Sequence, residues 1–403
     1  MKISTVKSVE AAPDTGTSDP IPLYVPSLRD EELANLTECV RSNLLIHGPF
    51  VGKFERQLAD FVGTRHGIGT SSGTSALHTA LLLAGVRPDD EVLITTLTFV
   101  APANAITYVN AHPVFIDVEP ATWQMDTSIA VRFLTEQCQF DGHKLVNKST
   151  GRRIGAIIAV HFLGMPVDLN QILPLAEKYN IPVIEDAAQA LGTEYSGKRV
   201  GSMGLLGCFS FHGNKLITAG GGGMIVTNDT ALAKRARYLV NQAKDDPVET
   251  SHNAIGFNYR MTNIHGAIGC AQFNRIEDHI RAKRGTAGRY ARGLQDIPGI
   301  ALVKEAPGTF YTYWLSTITV DPGTFGMTAR QLLASLRASN IESLPLYQPL
   351  HTSLAHKGSQ SCGGAVAERL TANALSLPSS VDLSEDNQLR VIDAIRAAHR
   401  SGK

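Results

Sequence analysis

The sequence predicts an α/β fold: a mostly parallel sheet flanked by helices, followed by a smaller C-terminal α+β domain. Three observations carry that expectation. Between residues 67 and 227, short apolar runs alternate with helix-period segments, the pattern of repeated strand–helix units. The runs are almost continuously apolar, as strands covered on both faces are. After Thr227 the texture changes, and a polar loop and a long helical pattern precede any further strand.

Residues 1–20 are polar, with Thr, Ser, Asp and Pro in quick succession, and read as a flexible tail. The large domain is expected over 21–285. Its strands fall at 67–70, 91–95, 113–117, 154–161, 182–185, 206–211 and 224–227, and its helices at 75–84, 101–109, 128–138 and 169–179. Gly and Pro punctuate the joins. A helix over 231–242 leads into a polar loop at 244–252, and a long helix is expected over 263–295. The small domain, 286–403, should hold strands at 313–320 and 375–378 and helices at 328–339, 364–373 and 384–400. No internal repeat is visible.

The bulk numbers bound the function. The chain has 403 residues, 43% of them hydrophobic, enough for a large core. Lys+Arg and Asp+Glu balance at 37 each, with no segregation along the chain, which argues against a nucleic-acid or membrane-surface partner. Cys39, Cys138, Cys208, Cys270 and Cys362 are odd in number and lack CxxC spacing, which reads as reduced thiols rather than a disulfide framework or zinc site. No apolar leader stretch follows Lys2 and Lys7, and the longest apolar runs are too short to span a bilayer. A cytoplasmic protein is the expectation.

One segment carries chemistry: Cys208-Phe209-Ser210-Phe211-His212-Gly213-Asn214-Lys215, followed by the glycine run 220–223. It places a lysine just after an apolar strand. A lysine titrates near ~10.4 in water and must be desolvated or charge-coupled to react at neutral pH. Alone, Lys215 reads as an exposed lysine; its neighbours reverse that reading. They match the four handles of pyridoxal phosphate: aldehyde, ring nitrogen, phosphate and ring face. Lys215 would take the aldehyde. Asp186, at the C-terminal edge of an apolar strand, would face the ring nitrogen, although it could equally cap the segment that follows. Gln189 could donate to the ring oxygen or be a solvated helix residue. Ser71-Ser72-Gly73-Thr74-Ser75 opens an apolar helix, where Gly73 and Thr74 could hold a phosphate or simply form a Ser/Thr cap. Ser210 could add a hydroxyl. Phe99 could cover the ring or belong to the core. No GK[ST] follows the glycine run, and no metal-spaced HExxH occurs.

The motifs also carry a resemblance. Gly48-Pro49-Phe50-Val51-Gly52-Lys53-Phe54-Glu55, Ser72-Gly73-Thr74-Ser75-Ala76-Leu77, Thr98-Phe99-Val100-Ala101, Glu185-Asp186-Ala187-Ala188-Gln189 and Ser210 to Lys215 stand in the order found in the DegT/StrS aminotransferases. Gly256-Phe257-Asn258-Tyr259-Arg260-Met261 and Leu375-Ser376-Leu377-Pro378 continue the series. From about Ile21 to Ala397 the chain resembles this family, whose members have the fold-type I architecture and use pyridoxal phosphate and its amine form. The resemblance implies Lys215 as the Schiff-base lysine, Asp186 on the ring nitrogen, Gln189 at the ring hydroxyl and Phe99 over the ring. It places Gly73, Thr74 and Ser210 on the phosphate. It also implies a homodimer with shared sites, in which Asn258, on an interface loop 244–262, reaches the neighbouring subunit's phosphate. His212, Tyr347 and His351 become candidate sugar contacts. Within the family, residues 242–247 and 252–263 look most like the branch that aminates C4 of UDP-linked, GlcNAc-derived 4-keto-6-deoxy sugars with L-glutamate, for surface glycans. The alternatives are a sugar 3-aminotransferase, a dehydratase, or a non-catalytic regulator on the same fold.

Overall fold

The structure, a computed structural model, describes residues 19–246 and 248–402. Up to residue 18, the expected tail lies outside these residues.

The central sheet is built from β1 (His66–Thr70), β2 (Glu91–Thr95), β3 (His112–Ile116), β4 (Ile154–Val160), β5 (Val183–Asp186), β6 (Leu206–Ser210) and β7 (Gly223–Thr227). Its order is β1-β7-β6-β5-β4-β2-β3, with the two-residue strand Ser361–Cys362 added beyond β3. β7 runs antiparallel to both neighbours, β1 and β6, and all other pairs are parallel.

Eleven helices matter below: α1 (Asp30–Arg41), α2 (Pro49–Val62), α3 (Gly73–Leu83), α4 (Ala101–Tyr108), α5 (Leu169–Lys178), α6 (Thr230–Val240), α7 (Asn263–Phe273), α8 (Ile276–Leu294), α9 (Ala329–Ala338), α10 (Ala365–Asn373) and α11 (Glu385–Ser401). Alternation along β2 shows how the sheet is sandwiched. Val92 and Ile94 pack with Leu77 and Leu81 of α3 and Ile106 of α4, whereas Leu93 packs with Ile172 and Ala176 of α5 on the other face. Burying each such side chain contributes about 1.5–3 kcal/mol. Because β4, β5 and β6 are parallel, their C-terminal residues Val160, Asp186 and Ser210 share one edge of the sheet.

A second, antiparallel sheet has the order β8-β9-β11-β10, from β8 (Ile300–Leu302), β9 (Ser316–Val320), β10 (Leu344–Pro345) and β11 (Ala374–Leu377). Leu332 and Leu336 of α9, Val391 and Ile395 of α11, and Tyr290 and Leu294 of α8 cover it. Helix α8 joins the two layers: Ile280 packs in a core with Phe54 and Phe209, while Tyr290 packs against the second sheet. Position 285 therefore falls inside a continuous helix. Ile21 also packs into the second core, and its amide donates to Asn340 O at 2.8 Å.

Three expected elements differ from what is observed. The long helix over 263–295 breaks after Phe273 because Arg275 leaves the helical region (φ −113°, ψ 14°), its guanidinium bonding Glu32 and Ser27 O. The helix over 128–138 is observed as Thr127–Arg132, continues as a wider turn over Phe133–Gln137, and gives way to strand at Cys138. The strand over 313–320 begins at Ser316, since Tyr313 takes a left-handed conformation with φ 52°. The five cysteines are free.

Candidate active site

A cavity of about 380 Å³ lies at the C-terminal edge of β4, β5 and β6, where open α/β sheets receive ligands. Gly73, Thr74, Phe99, Asp186, Gln189, Ser210, His212, Lys215 and Tyr347 all line it. Asn258 and His351 do not. Asn258 is exposed on a segment whose backbone pairs with Asn241. Both ring nitrogens of His351 are engaged, with Thr96 Oγ1 at 2.6 Å and Glu368 Oε1 at 3.0 Å. This ties the turn after β2 to α10.

Lys215 follows β6 on a short turn, its amide donating to His212 O at 3.0 Å. Its amine lies 4.3 Å from the centre of the Trp314 ring. Burial pulls its pKa down to about 8, against the opposing attraction of Asp186. Asp186 is only 5% exposed. Burial pushes its carboxyl above the usual range, against the hydrogen bond from Ala188 N–H and the charge of Lys215. A buried carboxyl facing a cavity from the end of a strand suits a cationic ring nitrogen.

Helix α3 opens beside them. Ser72 caps it, its hydroxyl accepting from Ser75 N–H at 3.0 Å. A Cβ on Gly73 would lie 2.8 Å from Ser210 Cβ, so glycine is what lets the helix start approach the end of β6. Gly73 and Thr74, at the first turn of α3, thus share one wall with Ser210, and the N–H and hydroxyl groups of these residues are the donor types that phosphate requires. Phe99 is 49% exposed at the cavity, its ring 5.4 Å from that of Tyr347. An aromatic face left open there suits a flat ligand. Gln189 lines the same wall, and its carbonyl accepts from Leu163 N–H at 2.7 Å.

Behind Asp186 stands a second buried acid whose role the sequence did not reveal. Burial alone would raise Glu185; hydrogen bonds from His161 Nε2 (3.1 Å) and the N–H groups of Gly201 (2.7 Å) and Gly204 (2.6 Å) outweigh it and hold the carboxyl below its usual value. Met203 N–H adds a fourth bond at 2.7 Å. Val167 N–H donates to His161 Nδ1 at 3.2 Å, so the ring proton sits on Nε2 and points at Glu185. The backbone N–H of His161 donates to Asp186 O at 3.1 Å, which fixes the end of β5. Among the described residues no cluster of His, Cys, Asp or Glu could hold a metal ion, and no helix is long and apolar enough to cross a membrane.

Residues 26–396 match the DegT/DnrJ/EryC1/StrS aminotransferase family. The chain belongs to this family. It is 38% identical over 93% of its length, and 94% of the relative's, to EpsN of Bacillus subtilis (strain 168), whose name assigns it provisionally to the pyridoxal phosphate-dependent aminotransferases. It is 36% identical to a GDP-perosamine synthase of Caulobacter vibrioides, over 93% of this chain and 97% of that one. A UDP-N-acetyl-3-dehydro-alpha-D-glucosamine 3-aminotransferase of Acidithiobacillus ferrooxidans is 34% identical, over 92% and 94%. A crystal structure of a DegT DnrJ EryC1 StrS aminotransferase from Brucella abortus superposes with a TM-score of 0.83 at 29% identity, covering 92% of this chain and 95% of that one. The architecture is that of the fold-type I aminotransferases, and the chain is an aminotransferase, as the motifs implied.

Proposed function

We propose that this family member is a pyridoxal phosphate-dependent aminotransferase that moves an amino group from L-glutamate to the keto group of a nucleotide-linked sugar. The finer reading is a UDP-linked, GlcNAc-derived 4-keto-6-deoxy sugar, aminated at C4. The observation that carries the proposal is the meeting of Lys215, Asp186 and the Gly73–Ser210 wall around one cavity. Bound there, pyridoxal phosphate supplies a carbonyl that takes up the amino group and a ring that accepts carbanion charge.

Each side chain then has a task. Lys215 holds the cofactor and, when released, moves a proton at the α-carbon of the amino donor. Its pKa near 8 places it close to neutrality, where a general base works in both directions. Asp186 keeps the ring nitrogen protonated. Gly73, Thr74 and Ser210 take the phosphate, Phe99 covers the ring, and Gln189 approaches its hydroxyl. His212 and Tyr347, which line the cavity, are assigned to the sugar side, and His351 is left to tie Thr96 to Glu368. The same proposal has the chain divided into parts 21–285 and 286–403. It has two copies forming a cytoplasmic dimer in which Asn258, exposed and outside its own cavity, completes the partner's phosphate site.

The relatives separate two sub-questions, since one is named for a GDP sugar and another for amination at C3. The test is a panel of UDP-, GDP- and dTDP-linked keto sugars incubated with L-glutamate, the products assigned by NMR. A 4-amino UDP sugar is expected. A GDP product or a 3-amine overturns the finer reading and leaves the aminotransferase standing. No aminated product from any member, with glutamate leaving the cofactor's absorbance unchanged, overturns the whole.

A further inference from the structure

Behind the cavity wall, a set of buried groups converges on Lys215. Trp314 is 2% exposed. Its indole N–H donates to Asn214 O at 2.7 Å, and its ring lies 4.3 Å from Lys215 Nζ. Its backbone N–H donates to Leu163 O at 3.2 Å, and Leu163 N–H donates to Gln189 Oε1 at 2.7 Å. A continuous run of bonds thus joins the Gln189 wall to the turn that bears Lys215. Leu163 on this run and Tyr313 next to Trp314 hold left-handed backbone, with φ 56° and φ 52°. Bulky residues keep that conformation only where their surroundings over-determine it.

Lys283 fixes the main chain at Trp314, next to Tyr313. It is buried on α8, with no ion-pair partner among the described residues. Its Nζ donates to Trp314 O at 2.8 Å and to Ser379 O. A neutral amine has two N–H groups, and these two carbonyls receive both. Burial pulls the group down to about 7, so the amine form is well populated at neutral pH. Ser379 is fastened in turn: its hydroxyl accepts from Ser316 N–H at 3.0 Å, and its own N–H donates to Leu23 O at 2.8 Å. Lys283 therefore staples the approach to β9 and the exit from β11 onto α8, at the point where Trp314 turns under Lys215.

We propose that Trp314 and Lys283 are positioning residues for Lys215: Lys283 fixes the Trp314 main chain, and the Trp314 ring face holds the Lys215 amine in the cavity and favours its protonated form. This rests on the reading of Lys215 as the cofactor lysine. The ring acts through the attraction between an ammonium and an aromatic face. Lys283 acts through the ring. The other groups bearing on the site are Asp186 on β5, His161 behind it, His212 on the same turn as Lys215, and His279 on α8, whose Nδ1 bonds Leu216 O at 3.2 Å.

The test reads the titration of Lys215 directly. Full-length chain purified free of cofactor is labelled with trace acetic anhydride from pH 6 to 10, and the Lys215 peptide is quantified by mass spectrometry. The wild type should show a midpoint near 8. Trp314→Phe keeps a ring face and should keep the midpoint. Trp314→Leu keeps bulk without the ring and should lower it by about 0.4–1.5 units. Lys283→Met should lower it too, and the Lys283→Met/Trp314→Leu double variant should add nothing beyond the larger single shift. A folded Trp314→Leu with an unchanged midpoint overturns the proposal, as does an upward shift in Lys283→Met, which would mark Lys283 as acting by charge alone. If Lys283→Met does not fold, the Phe and Leu variants of Trp314 still decide. In parallel, Lys215→Ala is reduced with borohydride in the presence of pyridoxal phosphate. Adduct formation equal to wild type would remove Lys215 from its assigned role, separately from the fate of Trp314.

Discussion

Replacing Glu185 by glutamine changes one atom type and should cost far more than its size suggests. The Glu185 carboxylate is fully buried and receives four donors: the N–H groups of Gly201, Met203 and Gly204 at 2.6–2.7 Å and His161 Nε2 at 3.1 Å. A glutamine offers one carbonyl oxygen to that set and turns an NH₂ towards the rest. Two N–H groups then face a donor, and at about 1–3 kcal/mol for each unmade buried bond the loss is about 2–6 kcal/mol. Urea unfolding followed by tryptophan fluorescence reads this, since the chain's two tryptophans, Trp123 and Trp314, are both buried. The pH dependence has a definite sign. The folded pKa of Glu185 is depressed, so its contribution is complete above the ordinary glutamate value and lost as pH falls through the lower folded value. The gap between wild type and Glu185→Gln should therefore narrow on acidification. A loss below about 1 kcal/mol at pH 7, the net worth of an average single bond, would refute the four-donor account.

Three other perturbations bear on the cavity. Gly73→Ala brings a Cβ within 2.8 Å of Ser210 Cβ, and should weaken pyridoxal phosphate binding about 10- to 100-fold by disturbing charge-assisted bonds to phosphate; fluorescence titration measures it. Phe99→Ala removes the open ring over the cavity and should raise the cofactor's dissociation constant about 2- to 12-fold, with little effect on unfolding because Phe99 is 49% exposed. Asp186→Asn removes the charge that raises the Lys215 pKa, so the Lys215 labelling midpoint should fall below about 8; a rise would contradict the pairing.

The central sheet was legible because its strands are covered on both faces and so read as apolar runs. The observed strands β2 and β5 begin or end within a residue of the expected ones. Asp186 was placed at a strand end by the same pattern, and Lys215 by its address after β6. What escaped depends on contacts between distant segments. The break before Arg275 arises from its bonds to Glu32 and Ser27, some 240 residues away, and no local propensity announces it. Trp314 lies in an aromatic stretch that reads equally well as strand; only the left-handed Tyr313 turns its indole beneath Lys215. Glu185 was visible as an acid beside Asp186, but its role needs the backbone of 201–204 to fold back over it. His351 carries a similar lesson. The resemblance made it a candidate sugar contact, and the structure engages both its nitrogens, with Thr96 and Glu368.

The most direct measurement is the site of covalent attachment. Full-length protein incubated with pyridoxal phosphate, reduced with sodium borohydride and digested should carry the phosphopyridoxyl group on Lys215, and pretreatment with L-glutamate should abolish the label. Stoichiometric labelling of another lysine, or of the Lys215→Ala variant, would contradict the assignment on which the proposed function stands.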